Sequence, residues 1–429
     1  KNEFVKTPPM GWNSYDYYDT TVNEAQVRAN AEYMAKYLKP HGYEYVVIDI
    51  QWSDPNAGTQ RDQCQYINFS LFSIDEYSRQ IPAENRFPSS KNGAGFKPLA
   101  DYIHSLGLKF GIHIMRGIPR YAAHNHMKIK GTDVTADKIA NPYSVCKWNA
   151  DMYGVDYRKK GAQEYYNSIF ELYAQWGVDF VKVDDICNTN FYPNNPYSAE
   201  KEIEMIHKAI ANCGRNIVLS LSPGPAPIEK AWHLAKYANM WRITDDFWDD
   251  WRLLKNMFER CEVWQMHVSE GCYPDCDMLP VGWIGKGFGR ERYTNFTYDE
   301  QITMMTLWCI FRSPLMIGAE LTKLDEQTLA LLTNDEVLRL VTGAHGAMQI
   351  ERDSEHAVWL SKDNDDGSSY VALFNLSDEE KTLSIELEVL GINTKVSVRD
   401  LWKHKDIGQA DKLISAKVPA HGAVLYKLK

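Results

Sequence analysis

From Pro9 to about Leu321, short and almost continuous apolar runs alternate with longer stretches in which apolar residues recur every three or four positions. Runs of the first kind suit strands buried on both faces, and the second kind suits helices that cover them with one stripe. Eight strand-like runs follow one another: MGWNSY from Met10, YEYVVIDI from Tyr43, LKFGIHIM from Leu108, VDFVKVDD from Val178, NIVLSLS from Asn216, MWRITDD from Met240, a short one around Asp277 to Val281, and PLMIGAEL from Pro314. Helical periodicity separates several of them, over Asn23 to Leu38 with Asn23 placed to cap, over Leu99 to Leu106, and over Gly161 to Trp176. Eight units in this order predict a (β/α)₈ barrel over residues 1–335. After Gly343 the texture changes. HAVWLSK, SYVALFNL, KTLSIELEVL, TKVSVRDLW and GAVLYKL alternate in twos between Asp, Asn and Gly turns, which predicts an antiparallel β domain of sandwich type over 343–429, with Trp402 in its core. The polar, aromatic insert from Ser53 to Lys97 is expected on the catalytic face, shaping a pocket or an oligomer contact.

Ionisable residues collect where the strand-like runs end. The second run ends in Asp49, the third in His113 and Arg116, the fourth in Lys182, Asp184 and Asp185, and the sixth in Arg242, Asp245 and Asp246. Such groups are too polar to be left in a core, and the carboxyl ends of barrel strands are where this architecture builds active sites. Trp52, Trp248 and Trp251 lie just past strand ends, with a pocket wall and core packing equally open to them.

Composition narrows the chemistry further. The 429 residues are 44% hydrophobic and 24% charged, enough to bury a large core. A net charge of −10 without a basic stripe argues against nucleic acid or an anionic membrane as partner. No apolar stretch is long enough to span a bilayer. The eight cysteines are scattered without paired ligand spacing, so no metal is expected, and free thiols favour a cytoplasmic over a secreted protein.

Two carboxyl groups facing each other across a sugar are what glycoside hydrolysis needs, about 5–5.5 Å apart when configuration is retained. Asp184 and Asp246 stand at the ends of the fourth and sixth runs, on one rim, and Lys182 beside Asp184 favours its ionised form. The competing reading of these acids is helix capping.

TPPMGWNSYD, YVVIDIQW, FGIHIMRG, FVKVDDI, WRITDD, DCDML and VRDLWKHKDIG, in this order over nearly the whole chain, resemble family 27 of the glycoside hydrolases, which holds α-galactosidases and α-N-acetylgalactosaminidases. The resemblance implies a barrel with a C-terminal β domain, no cofactor, and a retaining exo-glycosidase acting on terminal α-D-galactosyl-type linkages of a small or oligomeric carbohydrate. It makes Asp184 the nucleophile, Asp246 the acid/base with Asp245 as rival, and Arg242 a sugar ligand; Asp49, Lys182 and Asp277 join the sugar-binding set. Departures from the family pattern matter. Asp49-Ile50 replaces an Asp-Asp pair on the O4/O6 side of galactose, so Ile50 would leave O6 unpaired and suits β-L-arabinopyranose, which lacks the CH₂OH group. Tyr15 replaces a stacking Trp, His113 replaces a Tyr, and Ser222 with Pro225 stand where the sugar's 2-substituent is read, small groups akin to the acetamido-accepting arrangement. Ile186 takes the place of a family cysteine, so the disulfide beside the nucleophile is expected to be absent. The alternatives are therefore a β-L-arabinopyranosidase or α-N-acetylgalactosaminidase on the same machinery, or a carbohydrate-binding protein that lost catalysis. A phosphate-binding barrel lacks its Gly-rich loop. Aglycone and oligomeric state stay open.

Overall fold

The computed structural model describes residues 4–58, 69–189 and 194–429. Eight parallel strands form its first sheet: β1 (Met10–Asn13), β2 (Tyr45–Ile48), β3 (Lys109–Met115), β4 (Phe180–Asp184), β5 (Val218–Leu221), β6 (Met240–Arg242), β7 (Tyr273–Asp275) and β8 (Leu315–Ile317). They pair in sequence order from β1 to β7, and β1 also pairs β8, with Met10 opposite Leu315. Leu279 closes the ring: its N–H bonds the Met316 carbonyl at 2.8 Å and its carbonyl accepts from Gly318 at 2.9 Å. The expected (β/α)₈ barrel is thus formed. Gly11 is needed at one of its seams, since a Cβ there would lie 2.2 Å from the Tyr45 carbonyl oxygen.

Side-chain alternation splits each strand between two apolar compartments. Tyr45, Val47, Phe180, Val218, Met240, Tyr273 and Met316 fill the barrel interior. Their neighbours Val46, Ile48, Ile112, Ile114, Val181, Val183, Leu219, Leu221 and Trp241 face the helices, including α1 (Glu24–Tyr33), α2 (Lys97–Ser105) and α3 (Ala162–Trp176). Asn23 caps α1 in a reciprocal box with Gln26, and the helix continues through a wider turn over Met34–Leu38, as its periodicity suggested. Counting inward positions upward by twos from Val47 and Phe180 reaches Asp49, Lys182 and Asp184. The same period that packs the interior therefore aims charged groups at its open end.

The seventh strand is earlier than the sequence suggests, at Tyr273–Asp275 instead of Asp277 to Val281. Asp277 adopts a left-handed φ of 80° and its carboxylate accepts from the backbone N–H groups of Phe247 and Met278, which ends the strand and leaves only Leu279 to bridge onward. The first strand likewise stops at Asn13, and Tyr15–Tyr18 forms a helical turn.

Residues beyond Gly343 form strands β9 (Ala344–Arg352), β10 (His356–Asp363), β11 (Ser369–Asn375), β12 (Lys381–Glu386), β13 (Val396–Asp400), β14 (Lys405–Ala410), β15 (Leu413–Val418) and β16 (Ala423–Leu428). Six make one sheet in the order β9-β10-β11-β16-β13-β14, and β12 with β15 makes a second, enclosing a core of Val358, Val371, Leu373, Ile385, Ile414 and Leu428 among others. The two domains share a seam with aromatic contacts across it. Phe258 meets Phe374 at 4.8 Å between ring centroids, and the Trp251 ring stacks on His421 at 3.8 Å. Trp402 belongs to this seam, half-buried and donating to Thr306 Oγ1 at 2.9 Å, and not to the core of the β domain.

Candidate active site

A cleft of about 470 Å³ opens at the carboxyl ends of the barrel strands. Tyr15, Asp49, Ile50, Lys182, Asp184, Arg242 and Asp277 line it, together with Asp245 and Asp246. These residues are scattered over the sequence from 15 to 277, and barrel closure is what gathers them.

The nucleophile candidate is held on two sides. Asp184 Oδ2 lies 2.9 Å from His113 Nε2, and Oδ1 accepts from the Asp185 N–H at 3.0 Å. Burial pushes the Asp184 carboxyl up, but the His113 hydrogen bond and charge and the nearby Lys182 outweigh it and hold it below the usual carboxylate range. Lys182 spends its direct contact on Asp49, at 2.9 Å, where Asn13 Nδ2 also donates at 2.8 Å. Burial opposes the charge on Asp49 too, and Lys182 with His113 overcomes it, so Asp49 is well below its ordinary value. Tyr15 supplies an aromatic wall, braced edge-on by Phe288 with 5.4 Å between centroids, and Trp248 meets the same Phe288 ring at 5.4 Å.

Asp246 has the opposite setting. Its side chain is 63% exposed at the rim, bonded by Arg242 Nη2 at 2.8 Å, while Asp245 is 72% exposed and turned toward Arg260 at 3.8 Å. Arg242 also holds Asp277 at 3.2 Å. Asp277 is raised, by burial first and with Asp246 adding to it against Arg242, and its neighbour Asp275 is pushed up to about 6 by burial and by Asp277. Asp184 is thus half-buried and held ionised, while Asp246 faces solvent at the mouth, so the two carboxyls sit in unlike environments.

Two expected sugar ligands stand elsewhere. His113 is buried and does not line the cleft; its ring reaches Asp184 instead, and its carbonyl accepts from Trp52 Nε1 at 2.6 Å. Ser222 is buried behind the wall, its Oγ without a partner, and the following Pro223 and Gly224 line the cleft in its place. The turn after β5 swings the chain by one residue, which the strand period could not anticipate. Conversely, Asp16, Trp148, Phe247, Trp248 and Met278 line the cleft. Trp148 arrives on an excursion after β3 that folds into a small sheet of Ile118–Pro119, Ala140–Val145 and Met152–Val155, so no strand-end signal marks it. Asp16 directly follows the first strand-like run and enters the cleft from the helical turn Tyr15–Tyr18. Trp52 is core, and Trp251 belongs to the domain seam.

Ile50 packs with Phe72, Met115, Cys146 and Met152 into an apolar patch beside Tyr15 and Trp148. Phe72 comes from the insert after β2, which thereby backs the pocket wall; Cys64 lies outside the described residues. Cys187 is a free thiol, as are Cys146, Cys213, Cys261, Cys276 and Cys309, and no group of three or more metal-ligating residues occurs among the described residues. No helix among the described residues is long and apolar enough to cross a membrane.

The pairing of His113 with Asp184 makes a pH prediction. His113→Phe removes the donor that holds the carboxylate down, so the Asp184 pKa rises and the acid limb of kcat/KM, which reports the ionised free enzyme, moves to higher pH. An acid limb unmoved in a variant of unchanged Tm would show that the contact does not tune the nucleophile.

Residues 150–342 match the family described as alpha galactosidase A, and residues 353–428 match the alpha galactosidase C-terminal beta sandwich domain. The fold superposes with a TM-score of 0.96 on a β-L-arabinopyranosidase of this glycosidase family from Geobacillus stearothermophilus, 55% identical, with 100% of this chain and 97% of that one covered. A Bacillus halodurans protein provisionally described as an α-N-acetylgalactosaminidase is 50% identical, with a TM-score of 0.88 and 98% and 97% of the two chains covered. Alpha-galactosidase 2 of Arabidopsis thaliana is 26% identical over 435 residues, covering 100% of this chain and 90% of its own length. Barrel, β domain, paired acids and these likenesses agree: the chain is a glycoside hydrolase and belongs to glycoside hydrolase family 27.

Proposed function

We propose that this enzyme is a retaining exo-β-L-arabinopyranosidase that turns over α-D-galactopyranosides of the same ring stereochemistry less readily. The observation that carries the choice of sugar is Ile50, an apolar side chain lining the cleft next to Asp49 where O6 of galactose would need a partner. A hydroxyl buried there unpaired costs about 1–3 kcal/mol, and a pentopyranose has none to bury. The 55% identity to a β-L-arabinopyranosidase, of which a variant has been crystallised with arabinose, supports the same reading. The acetamido reading is favoured less, because Ser222 is behind the wall and not on it.

In the first step the Asp184 carboxylate attacks the anomeric carbon as the bond to the leaving oxygen breaks and Asp246 gives that oxygen its proton. In the second, Asp246 takes a proton from water, whose oxygen attacks the same carbon and expels Asp184. The half-buried, His113-bonded Asp184 suits attack, and the exposed Asp246 suits an aglycone and a water that both come from solvent. Proton NMR of the first-formed sugar is expected to show the anomer of the substrate; initial appearance of the opposite anomer would remove Asp184 from the nucleophile's role. Parallel kcat/KM values for nitrophenyl β-L-arabinopyranoside and α-D-galactopyranoside test the sugar. Asp246→Asn should lower kcat about 10²–10⁴-fold on poor leaving groups, with Asp245→Asn near wild type. The reverse result would shift the acid/base by one residue.

A further inference from the structure

Asp16 follows the first strand, is buried to 3% exposure and lines the cleft. Its Oδ2 has no hydrogen-bond partner. The backbone around it is built to admit a carboxyl: Gly318, just past β8, leaves room where a Cβ would lie 2.2 Å from Asp16 Oδ2, and the Asp16 carbonyl is pinned by the Gly285 N–H at 2.8 Å. An unpaired polar atom this deep costs free energy, and no protein group among the described residues supplies a partner.

We propose that Asp16 is a substrate-binding residue that keeps its proton and donates a hydrogen bond to a ring hydroxyl at the buried end of the sugar. The charge inventory favours the neutral form. Asp49, Asp184, Asp245, Asp246 and Asp277 share the cleft with it, against Lys182 and Arg242, and those two cations are engaged by Asp49, Asp246 and Asp277. The groups that act on Asp16 electrostatically are Asp277, Asp246 and Asp49, which oppose its ionisation, and Lys182 and Arg292, which favour it. Burial is the largest influence and, with Asp277, raises its pKa well above the ordinary carboxyl value. The cleft then offers a sugar acceptors in Asp49 and Asp184, charged donors in Lys182 and Arg242, and one neutral donor that costs no desolvated charge.

The inference rests on the glycosidase reading of this cleft but not on the choice of sugar. The test therefore uses whichever of the two nitrophenyl glycosides wild type turns over faster. Asp16→Asn keeps a donor in the same volume and is expected to hold kcat/KM within about fivefold of wild type. Asp16→Ala removes the donor, leaves the buried sugar hydroxyl unpaired and is expected to lose about 10–100-fold. As pH rises through its raised pKa, Asp16 should ionise, ceasing to donate and repelling Asp277, Asp246 and Asp49, and wild type should lose activity on that limb. Asp16→Asn should lack that part of the limb. Thermal melts, with and without free sugar, separate folding from binding: both variants should melt near wild type alone, and sugar should raise the Tm of Asp16→Asn but not of Asp16→Ala. If Asn is as damaging as Ala, Asp16 works as a charged acceptor and the proposal is wrong. If both variants match wild type, Asp16 does not touch substrate. Reversal of the sugar preference would overturn the pentose reading and leave this comparison intact.

Discussion

Asp184→Gly is expected to lose kcat by about 10⁵ to 10⁶-fold, comparable to removing the nucleophile of a catalytic triad. Positioning by Arg242, Asp49 and Lys182 would survive the change, so KM for a reactive aryl glycoside should move little. Added azide should enter the space left by the carboxyl and attack from the same side, giving the inverted glycosyl azide. Asp246→Gly should instead give a retained azide adduct, since there the glycosyl-enzyme still forms and azide replaces water in the second step. The two anomers are distinguished by the coupling of the anomeric proton. A retained adduct from Asp184→Gly would mean that another acid attacks; Asp185 is the nearest alternative, and its carboxyl, raised to about 6 by burial and held by Arg116 at 2.9 Å, is poorly placed to do so.

Ile50→Asp is expected to invert the sugar preference. An apolar wall distinguishes substrates that differ by a small group by only about 10–200-fold, whereas a site that bonds a hydroxyl can reject the analogue lacking it by about 10⁴. Wild type should therefore favour the arabinopyranoside modestly, and the variant should favour the galactoside strongly, mainly through a gain on galactose. The new carboxylate would sit among Phe72, Met115, Cys146 and Met152, so some stability is lost; a buried isoleucine contributes about 1.5–3 kcal/mol. Ile50→Val, which keeps the wall apolar, separates the effects: it should leave the preference unchanged while also lowering the melting temperature. A wild type with strong galactose preference, unchanged by Ile50→Asp, would show that another residue holds O6.

The barrel was legible because its signal is local. Buried parallel strands need unbroken apolar runs, and the period-two continuation of Tyr45-Val47 to Asp49 and of Phe180 to Lys182 and Asp184 is a property of any strand. Charged residues at those ends had to face an opening, since no core would accept them. Family resemblance added assignments to acids that pattern alone could not rank.

What tertiary structure alone decided were the places where the chain leaves a strand. Asp277 ended β7 early because its carboxylate binds the backbone of Phe247 and Met278, residues apart in sequence and joined only once β6 and β7 are neighbours. Ser222 turned behind the wall, because one more step along a turn reverses a side chain, and His113, inward like its register partner Lys182, is taken up by Asp184 and not by the cleft. Trp148 and Asp16 entered the cleft from an excursion and a helical turn. Strand identity follows from hydrophobic period, which every few residues carry for themselves; which atom faces the substrate follows from loop paths and ring closure, and those are fixed by contacts between residues far apart in the chain.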